Sequence, residues 1–343
     1  MKDAFSDIVG NRALCDRLVS DLTEGRLSHA YIIEGPAGTG KHTLALRIAA
    51  ALACERVTDA SVSLPCHTCP SCRKILSGNS VDVIYINRGD KATLGVDPIR
   101  ALRGDVYIAP NDTSVKVYII EDAHLMTQQA QNAFLLTLEE PPEYVLFLLL
   151  CESATALLET VRSRAPTLRT EPIPPADIGA HLLRVNPEAV LLKRNAPEEF
   201  SELLVAADGS IGRALELLDP KARKPILAQR ELAKEFVRLA TARRDGVATM
   251  RMIASLGQKR DEISSQLSTV LVCLRDLLLL KQTESAPLCF FADREEASAL
   301  AYQFTTPSIL RLYDTVSNAI DALGQNRNVR LTLTALAVGA GLL

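Results

Sequence analysis

Residues Gly35-Pro36-Ala37-Gly38-Thr39-Gly40-Lys41-His42 form a glycine-rich loop that obliges the chain around it to run strand, turn, helix. In the pattern G-x-x-x-x-G-K-[ST], glycines let backbone amides wrap phosphate oxygens, the lysine neutralises the terminal phosphate, and the final hydroxyl coordinates Mg²⁺. The flanks fit this order: His29-Ala30-Tyr31-Ile32-Ile33-Glu34 reads as a short buried strand, and Thr43 to Leu52 as a helix of good formers. Bound phosphates would meet the N-terminus of that helix, where unpaired amides and the dipole favour anions. The pattern breaks at its last position, where His42 replaces the hydroxyl. Imidazole is a poor partner for a hard cation, and Thr43 lies one residue on, turned by about 100° around the helix. Gly35, Gly38, Gly40 and Lys41 are therefore expected to cradle ATP or ADP, while His42 and Thr43 leave Mg²⁺ poorly held and hydrolysis impaired.

A β-branched run, Val115 to Ile120, ends in Glu121-Asp122-Ala123-His124, where such folds carry the acidic box that holds the metal-bound water and polarises the attacking one. The usual order is Asp then Glu. Exchanging the two moves each carboxylate by about one methylene, enough to spoil a near-attack geometry. On the residues alone, Glu121 and Asp122 are also compatible with merely ending the strand.

With 343 residues and 48% hydrophobic content, the chain can bury a large core and should divide into two or three domains. Aromatics make up only 4% and Trp is absent, so that core must be aliphatic and largely helical. The net charge of −3 advertises no global nucleic-acid surface, and any DNA contact must come from local patches. Met1 to Asp7 lack the apolar core of a signal peptide, and Leu331 to Leu343 are too short and too rich in Thr and Gly to span a bilayer. A cytoplasmic protein without a membrane partner is the expectation.

Eight cysteines in such a chain suit thiols or metal ligands better than disulfides. Cys54, Cys66, Cys69 and Cys72 form a C-x11-C-x2-C-x2-C array. Two-residue gaps let neighbouring sulfurs turn onto one ion, and four thiolates suit a closed, structural, tetrahedral Zn²⁺. Cys15, Cys151, Cys273 and Cys289 are scattered and read as small buried apolar residues.

Taken together, these motifs resemble the delta-prime and gamma/tau subunits of the bacterial DNA polymerase III clamp loader, an AAA+ family. The resemblance runs through Phe5-Ser6-Asp7-Ile8-Val9-Gly10, His29-Ala30-Tyr31, the cysteine knuckle after the P-loop helix, and Gln131 to Pro142 with its Leu138-Glu139-Glu140-Pro141-Pro142 ending. It implies that Arg164, in Ser163-Arg164-Ala165 where the family has Ser-Arg-Cys, is an arginine finger acting on a neighbouring subunit's ATP. It also implies that Arg213, in Asp208-Gly209-Ser210-Ile211-Gly212-Arg213, is an ATP-sensing arginine. Related active subunits carry a threonine-containing sensor where this chain has Leu149-Leu150-Cys151-Glu152-Ser153, and Glu152 would repel a γ-phosphate.

The implied architecture is an α/β P-loop AAA+ module with a doubly wound parallel sheet, followed by a small helical lid and an all-α collar. We expect strands at 31–34, 82–86, 115–120 and 144–150, and domains at 1–166 (with the zinc insertion at 54–72), 167–220 and 221–343. Asp219 to Pro225 would be the linker, Leu267–Leu280 and Ile309–Leu323 packing helices, and Asn326 to Leu333 the collar's closing motif. By resemblance, the partners are gamma/tau and delta subunits, with the sliding clamp and primer-template DNA met through the assembly, and the chain is an ATPase-deficient stator. Two other readings stay open: an active gamma/tau-type ATPase in which Thr43 or water replaces the lost hydroxyl, and a free-standing zinc-dependent nucleic-acid-binding protein. Basic residues near the knuckle are few, with Arg73 and Lys74 the obvious pair, which weighs against the latter.

Overall fold

The structure, a computed structural model, describes residues 5, 8–57, 62–241, 246–257, 259–283, 287–325 and 327–340. Ser6, Asp7, Asn326 and Leu342–Leu343, which complete motifs noted above, lie outside the described residues. The chain forms two compact units, residues 1–178 with 209–211, and residues 179–208 with 212–343.

The first unit runs α1 (Arg12–Thr23), β1 (Ala30–Glu34), α2 (Lys41–Leu52), α3 (Pro70–Leu76), β2 (Val83–Ile86), α4 (Val96–Asp105), β3 (Lys116–Ile120), α5 (Gln128–Glu139), β4 (Val145–Cys151), α6 (Glu159–Arg162) and β5 (Thr167–Arg169). The five strands are parallel and lie in the order β2-β3-β4-β1-β5. Strands β3 and β4 are buried along their whole length, as largely apolar runs must be when helices cover both faces of a sheet, and the one charged residue among them, Lys116, pairs with Asp105 at 2.8 Å. Neighbouring residues point to opposite sides: Ile33 and Leu148 join Leu44 and Ile48 of α2, whereas Ile32 and Phe147 join Leu102 of α4 and Phe134 of α5. The sheet is therefore doubly wound, as the motifs imply.

The four expected strands form within one residue of their anticipated ends. The fifth, Thr167-Leu168-Arg169, is too short for any periodic signal and exists because β1 pairs with it. The amide of Ile32 donates to the carbonyl of Pro166, and that of Thr170 to Glu34. Because all strands are parallel, the loops after β1, β3 and β4 emerge at one edge, the usual ligand edge of an open α/β sheet. At the opposite edge, the buried carboxylate of Asp82 accepts amides of Asn111, Asp112 and Thr113 at 2.7–2.8 Å and ties the loop before β3 to the start of β2.

The remaining elements are helices: α7 (Pro175–Val185), α8 (Pro187–Asn195), α9 (Pro197–Ala206), α10 (Ile211–Glu216), α11 (Pro220–Thr241), α12 (Gly246–Ser255), α13 (Arg260–Gln282), α14 (Arg294–Tyr302), α15 (Thr306–Gly324) and α16 (Val329–Gly339). Helix α13 is long and apolar enough to cross a membrane, but Ile263, Leu267, Val270, Leu274 and Leu277 are fully buried in the helical core, against α11 and α15. Helices α13 and α15 contain the two segments expected to pack. The polar stretch Asp219–Pro225 is not a linker: from Pro220 it forms the first turns of α11. Its charge is used structurally, because buried Arg223 donates to the carbonyls of Leu217 and Leu218 and to the carboxylate of Glu199. In the closing motif, Asn328 caps α16 by accepting the amide of Leu331 at 3.2 Å.

Candidate functional site

The loop between β1 and α2 is built to let backbone approach a ligand. Gly38 and Gly40 have φ of 76° and 83°, a region that strains other residues. A Cβ on Gly38 would also collide with the hydroxyl of Ser210, and one on Gly35 with that of Thr170. The loop is pinned from inside by buried Thr39, whose hydroxyl lies 2.9 Å from the carbonyl of Pro36 and 2.8 Å from Oγ1 of Thr170. Neither Thr170 nor the place of Ser210 against Gly38 is legible from spacing, since both depend on β5 joining β1 and on residues 209–211 folding with the first unit.

Lys41 opens α2, and its Nζ donates to the carbonyls of Gly35 and Pro36 at 2.7 and 2.8 Å. Burial pulls this ammonium below its ordinary pKa, while the charges of Glu152 and Asp122 pull the other way. Glu152 is exposed, and its backbone amide donates to Nδ1 of His124 at 3.4 Å. Burial pushes the Cys151 thiol up to about 12, consistent with an inert core cysteine.

His42 does not stand idle where the hydroxyl is missing. Its Nε2 lies 3.5 Å from Oε1 of Glu121, and its ring stacks on Tyr85 with centroids 5.4 Å apart and planes 20° from parallel. Asp122, in the left-handed region at φ 49°, receives Nε of Arg88 at 3.2 Å. Each acid of the box thus faces a basic side chain. Thr43 is exposed on the next helical position. An imidazole at the ligand position and a carboxylate already engaged by it do not suit Mg²⁺, which demands oxygen ligands in near-octahedral array.

Arg164 lies just past α6, its side chain 37% exposed. Its guanidinium donates to the carbonyl of Thr160 at 2.9 Å and to Oε1 of Glu139 at 2.7 Å. The support is traceable to Gln131, which is buried and bonds three backbone groups: the carbonyls of Met126 and Ala156, and the amide of Leu158 at 2.7 Å. Leu158 begins the turn into α6. His29 Nε2 is 3.0 Å from the carbonyl of Leu138, so β1 and the end of α5 are joined as well. The Gln131–Pro142 motif is therefore a scaffold under the arginine, a role that spacing alone did not reveal. Ala165 is fully buried, so the departure from Ser-Arg-Cys falls in the core and leaves the guanidinium untouched. Arg213 is exposed on α10 in the helical unit, lining a cavity of about 260 Å³ with Asp208, Gln229 and Arg230.

The sulfurs of Cys54, Cys66, Cys69 and Cys72 all lie within 4.8 Å of one another. Tetrahedral Zn²⁺ with Zn–S of about 2.3 Å needs sulfurs about 3.8 Å apart, and Cys66 and Cys72 stand at 3.9 Å. The amide of Cys69 points at Sγ of Cys66 (3.3 Å) and that of Cys72 at Sγ of Cys69 (3.4 Å), bonds that favour thiolates. Burial opposes ionisation of Cys66, but bonds from Thr68 and Cys69 prevail and bring it down to about 6, whereas burial holds Cys54 and Cys72 high. The donor set fits Zn²⁺ and leaves no open position for chemistry.

Residues 10–174 match a family model described as "DNA polymerase III, delta subunit". The chain is 36% identical over 216 residues to the DNA polymerase III subunit tau of Bacillus subtilis, and 34% identical over 215 residues to that of Escherichia coli, in each case 63% of this chain. It spans 37% and 32% of those relatives' own lengths. Among solved structures, a DNA polymerase III gamma subunit-related protein from Thermotoga maritima superposes with a TM-score of 0.45 at 19% identity, covering 94% of this chain and 98% of that one. The match to the DNA polymerase III family model thus takes in residues 10–174 of the chain's 343, and it is to subunits of that polymerase that this chain is similar.

Proposed function

We propose that this chain is a delta-prime-type stator of a DNA polymerase III clamp loader. It presents Arg164 to the ATP held by a gamma/tau neighbour and does not turn over ATP itself. The observation that carries this reading is the contrast between two sites of one module: His42 is engaged by Glu121 where a metal ligand belongs, while Arg164 stands partly exposed on a purpose-built support. A planar, permanently charged guanidinium delivered in trans stabilises charge on the transferring phosphoryl group and is worth roughly 10³ to 10⁵ in rate in GTPases. Residues 167–220 would serve as lid, with Arg213 its ATP-sensing arginine, and 221–343 as the collar that joins gamma/tau and delta subunits. The cysteine knuckle would hold structural Zn²⁺. DNA and the sliding clamp would be met by the assembly, with phosphate contacts summed over subunits.

The 36% identity to a tau subunit favours one competing reading, an active gamma/tau-type ATPase. Single-turnover hydrolysis of radiolabelled ATP by the isolated chain separates the two. The stator reading expects no phosphate release above the level of a Lys41→Ala control, and release at an ordinary ATPase rate would replace it with the ATPase reading.

A further inference from the structure

The acidic box faces a difficulty that the structure resolves without a metal. In a metal-dependent P-loop the box lies close to the terminal phosphates, and Mg²⁺ both holds the nucleotide and screens carboxylates from phosphate oxygens. Here each carboxylate faces a nitrogen-bearing side chain of the same chain. Glu121 faces Nε2 of His42 at 3.5 Å, and Asp122 faces Nε of Arg88 at 3.2 Å. The imidazole is placed by its stacking on Tyr85 of β2, and Arg88 by a second bond to the carbonyl of Lys91. The two departures from the usual pattern also fit one another. A hydroxyl has become an imidazole at position 42 and the first acid of the box has become the longer glutamate at 121, and the two side chains meet. The glycine cradle, Lys41 and the N-terminus of α2 are retained beside them.

From this we propose that the P-loop takes a nucleoside di- or triphosphate without Mg²⁺, the His42–Glu121 and Arg88–Asp122 pairs standing in for the metal. The inference rests on the reading that this site does not hydrolyse ATP, and it names how the site would then be used: as a retained, metal-independent nucleotide clamp. Phosphate oxygens are held by loop amides and by Lys41, which exchanges its bonds to the carbonyls of Gly35 and Pro36 for the ligand. No bond is made or broken in the nucleotide.

The test is equilibrium binding of ADP and of ATP to the full chain by calorimetry, once with excess Mg²⁺ and once with excess EDTA. Wild-type affinity should agree between the two conditions to within about three-fold, under about 1 kcal/mol. His42→Thr, which restores the hydroxyl at an exposed position, should bind better with Mg²⁺ by about ten-fold or more. Arg88→Ala, which uncovers Asp122, should lose affinity chiefly in EDTA. Lys41→Ala should lose it in both. Wild-type binding that collapses on chelation, or no binding in either condition, overturns the proposal. Absence of binding leaves the Arg164 reading standing, since that is judged by a neighbour's rate, while ATP turnover by the isolated chain would overturn the stator reading even if metal-free binding were found.

Discussion

The guanidinium of Arg164 donates to the carboxylate of Glu139 at 2.7 Å, joining the second residue past α6 to the last residue of α5. Both partners are substantially exposed, at 37% and 47%. An exposed ion pair contributes at most about 1 kcal/mol to stability, so its value lies in where it holds the arginine.

Glu139→Gln should therefore leave the melting temperature within about 2–4 °C of wild type. It should lower the clamp-stimulated ATPase of an assembly containing this chain, by less than Arg164→Ala does. An unchanged rate would show that Glu139 has no positioning role.

Gln131 supports the same arginine from beneath. Gln131→Ala removes a buried amide that serves two carbonyls and the Leu158 amide, and each unsatisfied buried group costs about 1–3 kcal/mol. Urea unfolding should show a loss of about 2–4 kcal/mol, and protease nicking near residues 155–165 should increase.

Asp82 gives a pH signature. Burial alone would raise its pKa, but three backbone amides outweigh that and hold the carboxyl below its ordinary value. A carboxyl depressed in the folded state stabilises fully above the unfolded-state pKa of about 3.9, and that contribution is lost as pH falls through the folded value. Asp82→Asn should thus be less stable than wild type by about 2–4 kcal/mol at pH 7. The gap should close below about pH 4, as followed by chemical denaturation across pH.

The first unit was legible in the sequence to the extent that local pattern carried it. The apolar runs gave β1 to β4, and the glycine loop placed α2. Strand β5 escaped because the three residues after Pro166 carry no period; its order comes from β1. The stretch Asp219–Pro225 misled for a related reason, since prolines and charges look like linker until Arg223 is seen capping the carbonyls of Leu217 and Leu218. At the site, motif spacing marked Lys41, His42 and Glu121 as candidates, and the family resemblance marked Arg164. It could not give the His42–Glu121 contact, the stacking on Tyr85, or the support from Gln131, because each joins elements far apart in the chain.

The cysteine cluster makes its own prediction. Metal analysis of carefully purified protein should find one Zn²⁺ per chain, and Cys69→Ser should reduce that content. Because structural zinc binding contributes directly to folding, chelation should lower the melting temperature of the wild type and change the variant little. Zinc well below one per chain in the wild type would count against the four-thiolate site.

The central claim is that the useful charge of this chain acts on a neighbour. It is tested most directly by reconstituting the full chain with gamma/tau and delta subunits and measuring clamp-stimulated ATP hydrolysis for wild type, Arg164→Ala and Lys41→Ala. Arg164→Ala should silence the one adjoining site and so remove its share of the rate, and Lys41→Ala should leave the rate near wild type. A rate unaffected by Arg164→Ala but lowered by Lys41→Ala would contradict it.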